Sequence, residues 1–240
     1  MNSLYKFCRT IIAVFLLALF TTQFISAQGV VSRPTKQTPQ KITPKVQVSK
    51  PDGYINGHGY VDLGLPSGKK WATTNIGANT ESDAGSYFAW GEISTKNEYT
   101  KDNAIVYPFQ SSLGSIIGNP KYDAAKYSWQ SSWQLPSKED FKELYDNSKM
   151  QWVKINGRYG RKITGPNGKS IFLPASGWID GKVSSPLRDN QYGLYWTGTE
   201  CDEHAEPIGI HIDDKLFLIS EVYYNHRAGY MGYTIRPVSP

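Results

Sequence analysis

Cysteine is nearly absent from the chain: Cys8 and Cys201 are its two. Cys8 precedes the apolar run near the N-terminus and is expected to leave with a cleaved leader. The one cysteine that remains excludes an intramolecular disulfide, even in an oxidising compartment. Long hydrophobic segments are missing as well. The run from Ile11 to Phe20 is about half of the roughly 20 residues that a spanning helix needs, which argues against a permanent anchor. Also absent are a Ser-His-Asp order, a glycine-rich phosphate loop and a paired Cys/His motif. The usual signals of triad hydrolases, nucleotide enzymes and zinc modules are therefore not met.

What the N-terminus does carry is Lys6 and Arg9 without an acid, then the apolar run, then the small residues Ser26 and Ala27. Charge, apolar core and small cleavage site come in secretory order, so residues 1–27 are read as an export signal cut before Gln28. The rest is expected in the periplasm, on the outer surface or outside the cell. Residues 28–52 are rich in Pro, Thr, Gln, Lys and Val, with Pro34, Pro39, Pro44 and Pro51 at short intervals. Such a stretch cannot bury enough apolar surface to fold and is read as an extended, flexible spacer. Its Arg33, Lys36, Lys41, Lys45 and Lys50 are read as solvated linker charges, with contact to an anionic envelope surface as the alternative.

The sequence pI near 9.0 suggests a basic partner-seeking protein until the charges are located. From Gly53 onward, 19 basic residues face 20 acidic ones, so the net field that attracts phosphate backbones is missing and no nucleic-acid partner is expected.

Residues 53–240 suit one domain. Tyr60–Leu65 and Lys70–Thr73 read as a hairpin around Pro66-Ser67-Gly68-Lys69. Ala78–Phe88 is expected to hold a short helix, and Glu92–Gln130 to be mostly loop. Ser137 with Asp140 forms a capping pattern, and Phe141, Leu144 and Tyr145 share one face, which predicts a helix over 138–148 with those three buried. The turns Asn156-Gly157 and Asn167-Gly168 separate three strand-like segments, Trp152–Ile155, Arg158–Ile163 and Ser170–Leu173, as in an antiparallel meander. Leu194–Thr197, Ile208–Ile212, Leu216–Ile219 and Gly232–Val238 read as further strands, the middle two joined through Asp213-Asp214-Lys215. Few helices early and strands clustered late indicate an α+β class.

Several strings then fall into a family pattern: Tyr60-Val-Asp-Leu-Gly-Leu-Pro-Ser-Gly-Lys-Lys-Trp71-Ala-Thr, Asn75-Ile-Gly-Ala, and Tyr87-Phe-Ala-Trp90-Gly-Glu92. Trp133-Gln-Leu-Pro136, Gly165-Pro-Asn-Gly168, Ile171-Phe-Leu-Pro174-Ala, Tyr195-Trp196-Thr and Ile235-Arg-Pro-Val238 follow in order. In these the sequence resembles the Fibrobacter succinogenes major paralogous domain, a family common in exported proteins of Bacteroidetes-type bacteria. The resemblance covers nearly the whole of 53–240. It implies a C-type-lectin-like superfold, with short helices, antiparallel sheets and long structured loops. That superfold also hosts formylglycine-generating enzymes and variable phage receptor-binding proteins, so the resemblance implies fold and compartment rather than chemistry.

Sugar-binding relatives of the superfold hold calcium with Glu-Pro-Asn or Gln-Pro-Asp followed by Trp-Asn-Asp. Here Glu206-Pro207-Ile208 lacks the third oxygen and no Trp-Asn-Asp follows, so a solvated acidic loop is expected. Glu200, Asp202 and Glu206, with Cys201, His204, His211 and Asp213 nearby, form the densest set of metal-type side chains, yet no second Cys/His pair matches their spacing. No cofactor is expected. Cys201 sits between acids, which disfavour its thiolate whatever His204, His211 or His226 contribute, and is read as inert. Copper chemistry of the formylglycine-generating kind, which uses cysteines, is not expected either.

Among the tryptophans, Trp71, Trp90, Trp133 and Trp196 lie inside the family strings and are assigned to packing. Trp129 and Trp178 lie in loop-like stretches and are expected to be exposed, with a ring face for a sugar or a partner. Loop 176–191 gathers Trp178, Asp180, Arg188, Asp189 and Asn190, the aromatic, charged and amide mixture of a recognition surface. The expectation is thus a non-catalytic, exported module that binds a glycan or a protein through loops. An envelope structural or assembly protein docked through the basic tail is the alternative, and a metal-dependent enzyme built on 200–214 is a third.

Overall fold

A computed structural model of the chain describes residues 47–107, 113–184, 186–201, 204–211, 216–218 and 229–240. The chain divides into Met1–Thr43, which lies outside the described residues, and Pro44–Pro240. In chain order the second unit contains β1 (Gly53–Ile55), β2 (His58–Asp62), β3 (Lys70–Ala72), β4 (Glu98–Tyr99), α1 (Ala124–Trp129), α2 (Lys138–Asn147) and β5 (Lys149–Ile155). Then follow β6 (Arg158–Thr164), β7 (Ser170–Pro174), β8 (Gly181–Lys182), β9 (Tyr192–Cys201), β10 (His204–His211), β11 (Leu216–Leu218) and β12 (Val238–Ser239). Among the described residues these strands pair antiparallel, in sheets ordered β1-β2-β3-β12, β4-β8, β5-β6-β7 and β11-β10-β9. Mostly antiparallel sheets with a few short helices make this an α+β fold.

Asn-Gly dipeptides set two of the hairpins. Asn156 and Gly157 both stand in the left-handed region, φ 49° and 89°, as a two-residue primed turn requires, and they fold β5 onto β6 in full register. Asn56-Gly57 does the same for β1 and β2, φ 45° and 81°, a hairpin that the sequence reading passed over. At Asn167-Gly168 only the glycine is left-handed, and Gly165 N donates to Lys169 O across a longer turn. The meander β5-β6-β7 follows.

The α2 helix begins as its capping pattern dictates: Ser137 Oγ accepts from Asp140 N (3.0 Å), and Asp140 Oδ2 accepts from Ser137 N (2.8 Å). Phe141 and Leu144 are buried, but Tyr145 is 43% exposed and does not join them. Asp140 is buried instead, because it is held both by the cap and by the Lys69 ammonium at 2.6 Å.

Three more expectations fail. Ala78–Phe88 is not helical: Gly77 and Gly85 are left-handed, and Asp83 Oδ2 takes the Asn79 and Thr80 amides into a turn. Gly232–Val238 is not one strand, because its residues bridge singly to Ile179, Phe88 and Tyr195 before only Val238–Ser239 joins β3. The folded part also begins earlier than Gly53. Ser49 exchanges hydrogen bonds with the Ser170 backbone, and Asp52 pairs with Lys169 at 2.6 Å. The link Asp213-Asp214-Lys215 lies outside the described residues.

Two large apolar clusters fill the interior. One centres on Trp90, Trp133, Trp196, Tyr233 and Ile235, the other on Trp71, Phe141, Ile171, Tyr195 and Ile208. Trp71, Trp90, Trp133 and Trp196 are all packing residues, as assigned. The indole N–H groups of Trp90, Trp133 and Trp196 donate to the Thr197, Ile55 and Phe88 carbonyls, satisfying their polar ends inside the core.

Candidate functional site

Loop 176–191 is built outward from the core. Ser176 and Gly177 are buried, and Gly177 is left-handed at φ 62°; a side chain there would meet Leu187 O at 2.2 Å. This close approach lets Trp178 and Leu187 exchange backbone hydrogen bonds (3.2 and 2.8 Å), pinching the loop at its base. The outer part returns through Gly181–Lys182, which pairs with β4.

Trp178 is 9% exposed and stands edge-on to Tyr192 at 6.0 Å, so the expectation of an exposed ring is corrected. The pinch places its backbone under the loop, and the indole fills the first core cluster. Trp129 is 5% exposed and lies at the end of a helix, not a loop. Its ring stacks on His58 (3.8 Å, 7°) and meets Trp133 edge-on; burial pushes the His58 imidazole down in pKa. Helix α1 exists because buried Asp123 gathers the Gly118, Lys126 and Leu135 amides at 2.7–2.9 Å.

Asp189 and Asn190 hold the loop in place. Asp189 pairs with Arg158, whose guanidinium also donates to Ala175 O. Asn190 Oδ1 accepts from Tyr159 N at 2.7 Å, and Asn190 N donates to Ala175 O at 2.8 Å. These bonds fasten the returning end of the loop, beside its base, to the β5-β6 hairpin. Arg188, at φ 50°, and Asp180 are left exposed, with Leu187 43% exposed beside Arg188. Asp180 also faces Tyr230, whose hydroxyl is raised in pKa by burial and then by that carboxylate.

The staple brings a surface that the sequence reading missed. In β5-β6, Trp152 lies opposite Arg161 and Lys154 opposite Tyr159. Trp152 and Tyr159 are diagonal neighbours with nearly parallel rings (6.3 Å, 8°). Lys154 stands over the Tyr159 ring at 4.9 Å and Arg161 over the Trp152 ring at 5.5 Å, giving a cation–ring–ring–cation ladder. Tyr159 is 39% exposed, Lys154 exposed and Trp152 half-buried, while Arg161 is buried and donates to His211 O. The signal was present in the residue order. No acid occurs between Asp146 and Asp180, where six basic residues do, but a charge count over the whole domain hides that run.

The acidic stretch is only partly visible. Glu200 is half-buried, and its carboxylate oxygens meet no hydrogen-bond partner among the described residues. Asp202 and Asp213, and the side chains of Cys201, His204 and Glu206, lie outside the description. Among the described residues no three His, Cys, Asp or Glu side chains converge on one point. The space between Trp90, Glu92, Tyr122, Leu135 and Trp196 has no room for a water-sized body. No described helix is long and apolar enough to cross a membrane.

Comparison with family models, with curated proteins and with solved structures finds no match for this chain.

Proposed function

We propose that this chain is a non-catalytic, exported binding module with a C-type-lectin-like architecture, of the Fibrobacter succinogenes major paralogous type, which recognises a glycan or a protein through loop 176–191. The export signal at residues 1–27 and a spacer after it would deliver the domain to the periplasm or cell surface. The observation that supports this reading is the way the loop is held. Gly177 pinches its base, and Asp189 and Asn190 fasten its returning end to the hairpin. Arg188 and Leu187 are thereby displayed to solvent on a backbone already bonded in place. A loop ordered before contact spares the entropy that a flexible loop loses on binding.

Trp178→Ala would not test this, because it removes a buried ring. The informative variant is Arg188→Ala with Leu187→Ser, which removes two exposed side chains and leaves the staples intact. A glycan array together with cross-linking at the cell surface should find a ligand that this variant binds about tenfold more weakly, as expected for losing about 1.4 kcal/mol. Equal binding by both proteins, or no glycan or protein ligand in either assay, would refute the proposal.

A further inference from the structure

We infer that the outer edge of β5 accepts an extended, acidic segment of a partner protein as an added strand. This surface is separate from Arg188 and Leu187, and it stands or falls without the loop reading above.

The first ground is an open edge. β5 is the last strand of its sheet among the described residues and pairs with β6. Asn156-Gly157 is a two-residue turn, so Ile155 and Arg158 are the hydrogen-bonded pair that closes it. Alternation then turns the N–H and C=O groups of Val153, Gln151 and Lys149 towards β6 and those of Lys154, Trp152 and Met150 outward. No strand or bridge among the described residues takes up these outward groups. Lys154 is exposed, and Trp152 and Met150 are half-buried, so solvent reaches the edge. Over the seven residues of β5 it offers a row of main-chain donors and acceptors of the kind that an incoming strand completes.

The second ground is charge of one sign on both faces of that edge. Of the six basic residues in the acid-free run, three serve the structure: Arg158 pairs with Asp189, Lys169 with Asp52, and Arg161 is buried against Trp152 and His211 O. Lys149, Lys154 and Lys162 form no ion pair with an acid among the described residues. The register puts Lys154 on the face that carries Trp152, and Lys149 and Lys162 on the opposite face. A flat ligand meets only one of these faces. An added strand meets both, because its own side chains alternate.

Edge lysines also guard against aggregation, and the guard is selective. A neutral strand would desolvate the ammonium groups without a countercharge, whereas an acidic strand supplies one. The same charge disfavours a second copy of β5, or the basic linker with Arg33, Lys36, Lys41 and Lys45, as the occupant. Lys149 and Lys154 are five positions apart, roughly 17 Å along a strand, so the matching acids in the partner are also five apart. An odd spacing puts them on opposite faces, as the lysines are.

The full chain is titrated, by fluorescence anisotropy, with the labelled peptide Thr-Glu-Val-Thr-Val-Thr-Glu-Thr, whose acids are five apart. The comparison peptides have both Glu replaced by Gln, or the acids four apart, and polyglutamate serves as an unpatterned polyanion. The first peptide should bind several-fold more tightly than any of these, and more weakly at ~0.3 M salt, where exposed charges are largely screened. Lys149→Gln with Lys154→Gln should weaken it about tenfold, the ratio for losing two exposed ion pairs, with an unchanged melting temperature showing that the variant folds. N-methylation of one alternate set of peptide amides should abolish binding and of the other set leave it, since only one set faces β5. Arg188→Ala with Leu187→Ser should bind the peptide as the parent does. Equal binding of polyglutamate or of the four-spaced peptide, equal effects of the two methylated sets, indifference to the lysine substitutions, dependence on Arg188, or no peptide bound would each overturn the assignment.

Discussion

Arg236→Met removes a side chain that four acceptors share inside the fold. Arg236 is fully buried; its Nε donates to Asn75 Oδ1 (2.8 Å), Nη1 to Ala72 O (3.1 Å) and Thr73 O (3.2 Å), and Nη2 to Phe172 O (2.9 Å). One guanidinium thus ties the end of β3, the Asn75 turn and β7 to the C-terminal segment. Burial lowers its pKa to about 10, so it stays charged at neutral pH, and every bond is charge-assisted. Two effects oppose when it is lost. Taking a charge out of the interior recovers its desolvation penalty, but the four acceptors remain buried without a donor, at about 1 kcal/mol or more each. Because the acceptors cannot leave with the arginine, the loss should win by about 3–5 kcal/mol, the range for breaking one side of a buried polar pair. With a urea slope of about 2–3 kcal/mol per M, the unfolding midpoint should fall by about 1.5 M. Arg236→Lys keeps the charge but offers three donors without the planar fork, and should lie between the two proteins. The assay is urea unfolding followed by tryptophan fluorescence. A Met variant within about 0.3 M of the parent, or a Lys variant less stable than the Met variant, would refute the reasoning.

Two more perturbations bear on the site and its surroundings. Gly177→Ala forces a left-handed alanine and drives its Cβ towards Leu187 O, so it should destabilise by about 2 kcal/mol or more and loosen the Arg188 loop, seen as faster amide exchange at Leu187 and Asn190; unchanged exchange would contradict the pinch. His58 has its pKa lowered by burial, so between its folded and unfolded values the unfolded chain binds more protons. Stability should therefore be full above about pH 6.5 and decline as pH falls through the folded pKa, and His58→Phe, which can keep the Trp129 stack, should flatten that slope. A parent protein that gains stability on acidification through this window would mean that the imidazolium–indole attraction outweighs burial.

Local signals were legible wherever a few neighbouring residues decide the backbone. The Asn156-Gly157 turn, the Ser137/Asp140 cap and the meander's strands depend on positive φ, a reachable amide and period-two alternation, all written within a dozen residues. The four packing tryptophans were readable from the strings that contain them. The supposed helix over Ala78–Phe88 was not, since its composition permits a helix, and besides Asp83 within it the turns are held by contacts with Ile76 and Asn75 outside it.

The candidate site divides in the same way. Sequence alone placed Trp178, Asp180, Arg188, Asp189 and Asn190 in one loop, because they are close along the chain. Tertiary structure decided their roles: the pinch at Gly177 turned Trp178 inward, Arg158 and Tyr159 claimed Asp189 and Asn190, and Arg188 was left to solvent. Trp152 and Tyr159, seven positions apart, became neighbours only when β5 paired with β6. Burial and pairing depend on what another segment brings to the same place, and no count along a single strand of sequence contains that.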